Sequence, residues 1–147
     1  MKLIVWQKAM DLFELVWKIA IIETKIDFKL RSQLVDAAQS ISANISEGYG
    51  RRSVTEYIQF LYYSLGSMGE TMTRVIGLRQ TGQISEERFA DVDALHYEVE
   101  NRLLRLIEKL ESKRDDADWT NRIAEDPEEY ITPILQYSNT PSHHANA

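Results

Sequence analysis

The histidines and carboxylates of this sequence give little support for a catalytic or metal site. His96 is the only histidine before residue 143, and Asp93 rather than a glutamate stands three residues before it. Di-metal sites in helical bundles need Glu-x-x-His pairs together with further glutamates, so Glu47 and Glu70 alone make a poor site. The sequence has no cysteine, no phosphate-binding glycine loop and no nucleophile elbow. We therefore expect a non-enzymatic protein without a metal ion or other cofactor.

The basic residues that could contact a phosphate group or an acidic partner are Lys25, Lys29, Arg31, Arg51 and Arg52. The first three precede or begin the second predicted helix, whereas the two arginines at 51 and 52 follow it. Because a helix separates them, we expect the two groups at opposite ends of the protein. A structural role for the arginines is favoured over ligand binding, since arginine often binds the last carbonyls of a helix or a nearby carboxylate. The candidate carboxylates are Glu47, Glu56 and Glu70.

Four segments show helical periodicity, at about residues 5–24, 30–47, 53–81 and 85–110. The second is followed by Gly48 and Gly50, which we expect to adopt the positive φ angles that end a helix. Ser53 and Glu56 form a capping box at the start of the third. The loops are short, which makes consecutive helices antiparallel neighbours. We predict an all-α, antiparallel up-down four-helix bundle over residues 1–112.

The first helix carries two apolar stripes where an ordinary surface helix carries one. The first stripe, from Val5 to Ala20, is the expected core face, and a second lies about a quarter-turn away. This second stripe, called the α1 stripe below, consists of Trp6, Met10, Phe13 and Trp17. Because tryptophan and other aromatic residues are enriched at interfaces, we expect the α1 stripe to bind another subunit of a homo-oligomer.

Small and polar residues inside the other helices also need an explanation. The third helix contains Gly66 and Gly69, and glycine costs about 1 kcal/mol against alanine in a helix. Close approach by another helix backbone would offset that cost. We expect Asn44 and Glu47 to lie in a polar part of the core, hydrogen-bonded across helices or to the turn, with an architectural role.

Residues 113–147 differ in character from the bundle. They contain three basic and seven acidic residues and all three prolines, within a net charge of −6. We predict a largely disordered acidic tail, with a short helical turn near residues 119–125 as an option. Its apolar residues are Trp119, Tyr130, Ile131, Ile134, Leu135 and Tyr137. Two interpretations stay open. The tail is solvated, or these residues dock on a groove of this or a neighbouring subunit.

Several strings in the sequence resemble the 23S rRNA intervening-sequence protein family. Residues 5–10 read VWQKAM, residues 40–53 follow the pattern SIxxNIxEGxGRxS, and Glu56, Phe60-Leu61 and Leu65-Gly66-Ser67 continue it. The resemblance implies a four-helix bundle assembled as a ring, typically a homopentamer, with no known activity. A related branch, the accessory variability determinant proteins of diversity-generating retroelements, forms a basic pentameric barrel that binds nucleic acid and a reverse transcriptase.

The sequence thus predicts a cytoplasmic oligomeric scaffold or adaptor that does not enter a membrane. Its expected partners are further copies of itself and another protein, such as a reverse transcriptase. The alternative is a nucleic-acid-binding accessory protein acting with a reverse transcriptase or rRNA. An isoelectric point of about 5.1 argues against that alternative, because domains that bind nucleic acid are usually basic.

Overall fold

The computed structural model describes residues 3–114, which form four helices and no strand. The helices are α1 (Ile4–Trp17), continued by a π-helical turn (Lys18–Glu23), α2 (Phe28–Tyr49), α3 (Val54–Gln80) and α4 (Glu86–Arg114). The predicted all-α class with four helices is confirmed. α4 runs two residues past the predicted boundary at 112. The predicted tail from residue 115 onward, with its optional turn near 119–125, lies outside the described residues.

Each helix contributes one apolar face to a shared core. α1 and α3 each contact α2 and α4, and the interior side chains Leu12, Ile41, Leu61 and Leu103 have no exposed surface. Full burial of one such side chain stabilises the fold by about 1.5–3 kcal/mol. The periodic apolar positions of the four segments therefore account for the formation of the bundle.

Two hydrogen bonds show how α2 and α3 are aligned. The buried Ser64 hydroxyl donates to the Ile41 carbonyl at 2.8 Å, and the Arg74 guanidinium donates to the Gln33 side-chain oxygen at 3.0 Å. Positions later in α3 therefore contact positions earlier in α2. α4 is fixed at both of its ends, where Arg88 binds Glu23 and the Tyr62 hydroxyl donates to Glu111 at 2.7 Å.

Polar side chains set the helix starts. The Ser53 hydroxyl accepts from the Glu56 backbone N–H at 3.4 Å, as the capping box predicts, while the Glu56 carboxylate lies 3.9 Å from Arg51. Ser85 caps α4 in the same way. α2 begins two residues earlier than predicted because the Asp27 carboxylate accepts from the Lys29 N–H at 3.0 Å. An N-cap carboxylate of this kind typically contributes about 1 kcal/mol.

The end of the first helix differs from the regular α-helix that was predicted. Residues Lys18–Glu23 form a π-helical turn, in which the Thr24 N–H reaches the Ile19 carbonyl, five residues back, at 3.0 Å. The Thr24 hydroxyl also donates to the carbonyls of Ile19 and Ala20. The Thr24 side chain thus adds a second hydrogen bond to the Ile19 carbonyl and one to the Ala20 carbonyl at the end of the helix.

The prediction that Gly48 and Gly50 adopt positive φ angles is wrong. Among the described residues, Gly82 is the one position with positive φ, at 72°, and it ends α3 as a left-handed residue can. Gly50 has φ −72°. Gly48 lies inside α2, where a Cβ atom would come within 2.8 Å of the Phe60 Cβ and 3.1 Å of the Tyr57 carbonyl oxygen. This glycine is therefore required for the close packing of α3 on α2.

Gly66 and Gly69 do not serve such a contact within the chain. A Cβ atom at either position would meet no atom within 4 Å, and both residues are exposed on α3. If their absent side chains permit a close helix approach, the approaching helix belongs to another chain.

We predict different effects of alanine at Gly48 and Gly50, the two glycines at the end of α2. Gly48→Ala should lower the free energy of unfolding by about 1–3 kcal/mol, because the added methyl group overpacks against backbone and Cβ atoms. Gly50→Ala should leave it unchanged or raise it by up to about 1 kcal/mol, since its nearest neighbours are 3.6 Å away. Urea denaturation of both variants at one protein concentration measures the difference. Equal stabilities would contradict the assignment.

Candidate functional site

The arginines at the end of α2 are engaged to different extents. Arg51 lies 2.6 Å from Glu47 and 3.9 Å from Glu56, and its guanidinium lies 4.8 Å from the centroid of the Phe60 ring. Arg52 is exposed and makes no ion pair with any of residues 3–114. The structural role expected for these arginines therefore fits Arg51, while Arg52 remains available to a ligand.

The second basic group lies at the start of α2, and we call Lys25, Lys29 and Arg31 the basic end. None of the three has an ion-pair partner within the described part of the chain. α2 has 22 residues, so about 33 Å separates this group from Arg51. The structure does not bring the five predicted contact residues together in one site.

Phe28 was missed by the sequence analysis, although it stands between two of these lysines. Its side chain is 73% exposed, and the Arg31 guanidinium lies 5.6 Å from the ring centroid. The available signal was a bulky aromatic residue at the first position of α2, outside the core periodicity. An exposed ring flanked by cations can stack on a planar or aromatic ligand.

The polar residues expected inside the bundle lie elsewhere. Glu47 is exposed, because it is about 200° around α2 from the buried Ile45. The Asn44 amide donates to the Ser40 carbonyl of its own helix at 2.8 Å. Glu70 is also exposed and lies 2.9 Å from Arg74. Glu47 pairs with Arg51 and Glu70 pairs with Arg74, in each case four residues later in the sequence. Neither glutamate belongs to a polar core.

The buried polar group of α4 is His96, whose Nε2 lies 3.1 Å from the Met68 carbonyl oxygen. A carbonyl accepts, so Nε2 carries the proton in this contact. Residues 3–114 contain no group of three or more histidine, aspartate or glutamate side chains close enough to hold a metal ion. The described helices also include none that is long and apolar enough to cross a bilayer.

The α1 stripe is covered only in part. Trp6 and Phe13 are half-buried against the core, whereas Met10 and Trp17 are 36% and 39% exposed. The apolar surface continues into the π-helical turn, where Ile21 and Ile22 are exposed. A large exposed apolar patch on a small protein commonly marks an interaction surface.

A shallow groove runs beside the α1 stripe, between α1 and α2. It is lined by Trp6, Met10 and Phe13 of α1 and by four residues of α2, most of which are small. The α2 residues are Gln39, Ser42, Ala43 and Ser46. Small lining residues leave room for the side chains of an approaching helix.

Charges beside the α1 stripe are paired with one another. Lys18 binds Glu14 at 2.6 Å, and this hydrogen bond and the Lys18 charge hold the pKa of Glu14 below its usual range. Lys8 lies 3.8 Å from both Asp11 and Glu98. The surface around the stripe therefore presents little uncompensated charge, as suits contact with another apolar face.

Comparison with known proteins places this fold and sequence in a family. The crystal structure at 1.70 Å of a protein of unknown function from the S23 ribosomal protein family of Bacteroides thetaiotaomicron has a similar fold. The TM-score is 0.67 at 24% sequence identity, covering 74% of this chain and 99% of that chain. No curated protein matches the sequence.

The family model described as "23S rRNA-intervening sequence protein" matches residues 1–105. This match includes the motifs at residues 5–10 and 40–53 that suggested the same family. The chain therefore belongs to the 23S rRNA-intervening sequence protein family.

Proposed function

We propose that the protein is a non-enzymatic oligomeric scaffold whose subunits associate through the α1 stripe. The observation that carries this proposal is that α1 has two apolar faces and its own bundle covers the second only in part, with Met10 and Trp17 exposed. In a monomer, Met10, Trp17 and the adjoining isoleucines would expose apolar surface to water, which is energetically unfavourable. Burial of apolar surface gives about 25 cal/mol per Å², so contact with another copy would stabilise both chains.

The receiving surface is proposed to be the exposed side of α3 around Gly66 and Gly69. We infer an up-down arrangement from the reversed order of contacts between α2 and α3 and from the hydrogen bonds at the two ends of α4. Since α1 and α3 share both of their neighbours, they lie diagonally across the bundle. Bulky side chains on one side and glycines on the other are complementary in shape.

Contact between two different faces of one protein is heterologous, and such contacts generate rings when the rotation closes. The family resemblance supports a ring of five subunits. Each subunit of such a ring would carry its own Arg52 and its own basic end. The assembly would therefore be a multivalent adaptor for another protein. The related branch suggests a reverse transcriptase as that protein. Repetition of weak sites raises the overall avidity without new contacts.

Trp17→Glu should dissociate the assembly, because a charge would be buried in the apolar contact. Size-exclusion chromatography with light scattering should show the mass falling toward the 17.1 kDa of one chain. Tyr97→Glu is the matched control, since Tyr97 is a 67% exposed aromatic residue on α4 and belongs to neither proposed face. A wild-type protein that is monomeric at micromolar concentration would refute the proposal.

A mixing experiment distinguishes a heterologous contact from a symmetric pairing of two α1 stripes. Gly66→Trp should also yield monomers, because the indole blocks the α3 face. A mixture of Trp17→Glu and Gly66→Trp chains retains one intact face of each kind, so it should form dimers containing one of each. If Gly66→Trp alone assembles like the wild type and the mixture forms no dimers that contain one chain of each variant, the α1 stripes pair with each other.

A second candidate function, binding of single-stranded nucleic acid, is favoured by Phe28 and the basic end. Bases stack on exposed aromatic rings while cations contact the phosphates. The triple variant Phe28→Ala, Lys25→Glu, Lys29→Glu should weaken binding of a fluorescent single-stranded RNA by at least about tenfold. Arg52→Glu is the control at the opposite end. Binding that is absent, or that does not weaken between about 50 and 200 mM salt, would exclude this candidate.

A further inference from the structure

A second apolar groove lies between the first turns of α2 and the last turns of α3, and we call it the α2/α3 groove. Its lining residues are Leu30, Leu34, Thr73, Arg74, Gly77, Leu78 and Thr81, and it encloses about 320 Å³. That volume is within the range of roughly 300–1,000 Å³ that ligand pockets occupy. Gly77 leaves the groove open, because a Cβ atom there would meet nothing within 4 Å. The Leu30 side chain at its rim is exposed.

The start of α2, which borders the α2/α3 groove, carries more positive than negative charge. Lys29 and Arg31 flank Leu30 in the sequence, and Lys25 precedes them, so the basic end borders the groove. Asp27 is the one carboxylate between residues 24 and 35, which leaves this stretch with a net charge of +2. Asp27 is moreover occupied in capping α2. An occupant of this groove should therefore combine apolar side chains with negative charge.

The sequence of the chain beyond α4 has this combination. Residues 1–114 contain 16 basic and 16 acidic residues, whereas residues 115–147 contain one basic and seven acidic residues. Four of those seven acidic residues fall within residues 125–129, directly before the apolar stretch 130–137. We propose that residues 125–137 bind the α2/α3 groove of their own chain, with the acidic stretch against the basic end and the apolar stretch in the groove.

The length of the chain allows this placement. α4 has 29 residues and is about 43 Å long. It starts beside the Glu23 end of the bundle and finishes at Arg114, near the opposite end, where Glu111 binds Tyr62. The segment from Arg114 to Tyr130 can span about 50 Å when extended. Tyr130 and the residues after it can therefore return to the end of the bundle where the groove lies.

Attachment to the same chain also contributes to binding. The effective concentration of a tethered segment is highest when the linker length matches the span between the two sites, and it is near zero when the linker cannot reach. Apolar anchor residues and flanking charges are the usual determinants of docked peptides. The α1 stripe lies on α1 and does not line the α2/α3 groove. The proposed receiving surface around Gly66 and Gly69 is on α3 but precedes the groove-lining residues 73–81 in that helix.

Cysteine cross-linking in the full-length chain tests the placement without background, since the sequence contains no cysteine. Thr81→Cys at the rim of the α2/α3 groove is paired with Ile134→Cys. The matched control pairs Ile134→Cys with Ala43→Cys, an exposed position on the α1/α2 groove. After mild oxidation, mass spectrometry of non-reduced peptides should show at least fivefold more intrachain disulfide for the 81–134 pair. Thr73→Cys, at an exposed residue of the groove lining, is a second position if Thr81→Cys does not fold.

Charge reversal tests the electrostatic part of the proposal. Lys25→Glu with Lys29→Glu should reduce the 81–134 cross-link by at least threefold, whereas Arg52→Glu should not change it. Equal yields for the two cysteine pairs, or a higher yield for the 43–134 pair, would overturn the placement. A predominance of interchain disulfides, seen as dimers on a non-reducing gel, would show that the segment binds another copy and would overturn the intrachain assignment.

Discussion

The close packing of α2 on α3 determines the positions of the other features described above. It depends on Gly48, where a larger residue would contact the backbone of Tyr57, and on the buried hydrogen bond from Ser64 to Ile41. The two helices consequently remain in register from the turn at residues 50–53 to the Gln33–Arg74 contact. The α2/α3 groove lies at the Gln33–Arg74 end of this contact, away from Arg51.

The bundle itself could be predicted from the sequence because its signals are local and repeated. Apolar periodicity identified four helices, and Ser53 and Ser85 marked the starts of two of them. Residues that can serve either of two roles were harder to predict from the sequence. A glycine near a helix end usually relieves backbone strain, yet Gly48 relieves a steric contact with another helix, and that contact is not visible until the partner helix is placed. Glu47 looked like a buried polar residue because its neighbours in the sequence are apolar, although its own angular position is on the solvent side.

The candidate surfaces show a similar division. The α1 stripe was visible in the sequence as an excess of apolar residues on one helix, and the structure shows Met10 and Trp17 exposed. The grooves on either side of α2 could not be predicted, since each is formed by side chains from two helices that are distant in sequence. Phe28 was missed for a different reason. It lies outside every periodic pattern, and its exposure in the structure is what identifies it as a candidate contact residue.

The π-helical turn at Lys18–Glu23 has a consequence for the relation between these surfaces. A π-helical turn bonds to the fifth residue back and so holds one residue more than an α-helical turn. A single additional residue rotates everything after it by about 100° relative to a continuous α-helix. The turn therefore acts as a one-residue spacer that sets the angular phase between the exposed stripe of α1 and the loop carrying Lys25.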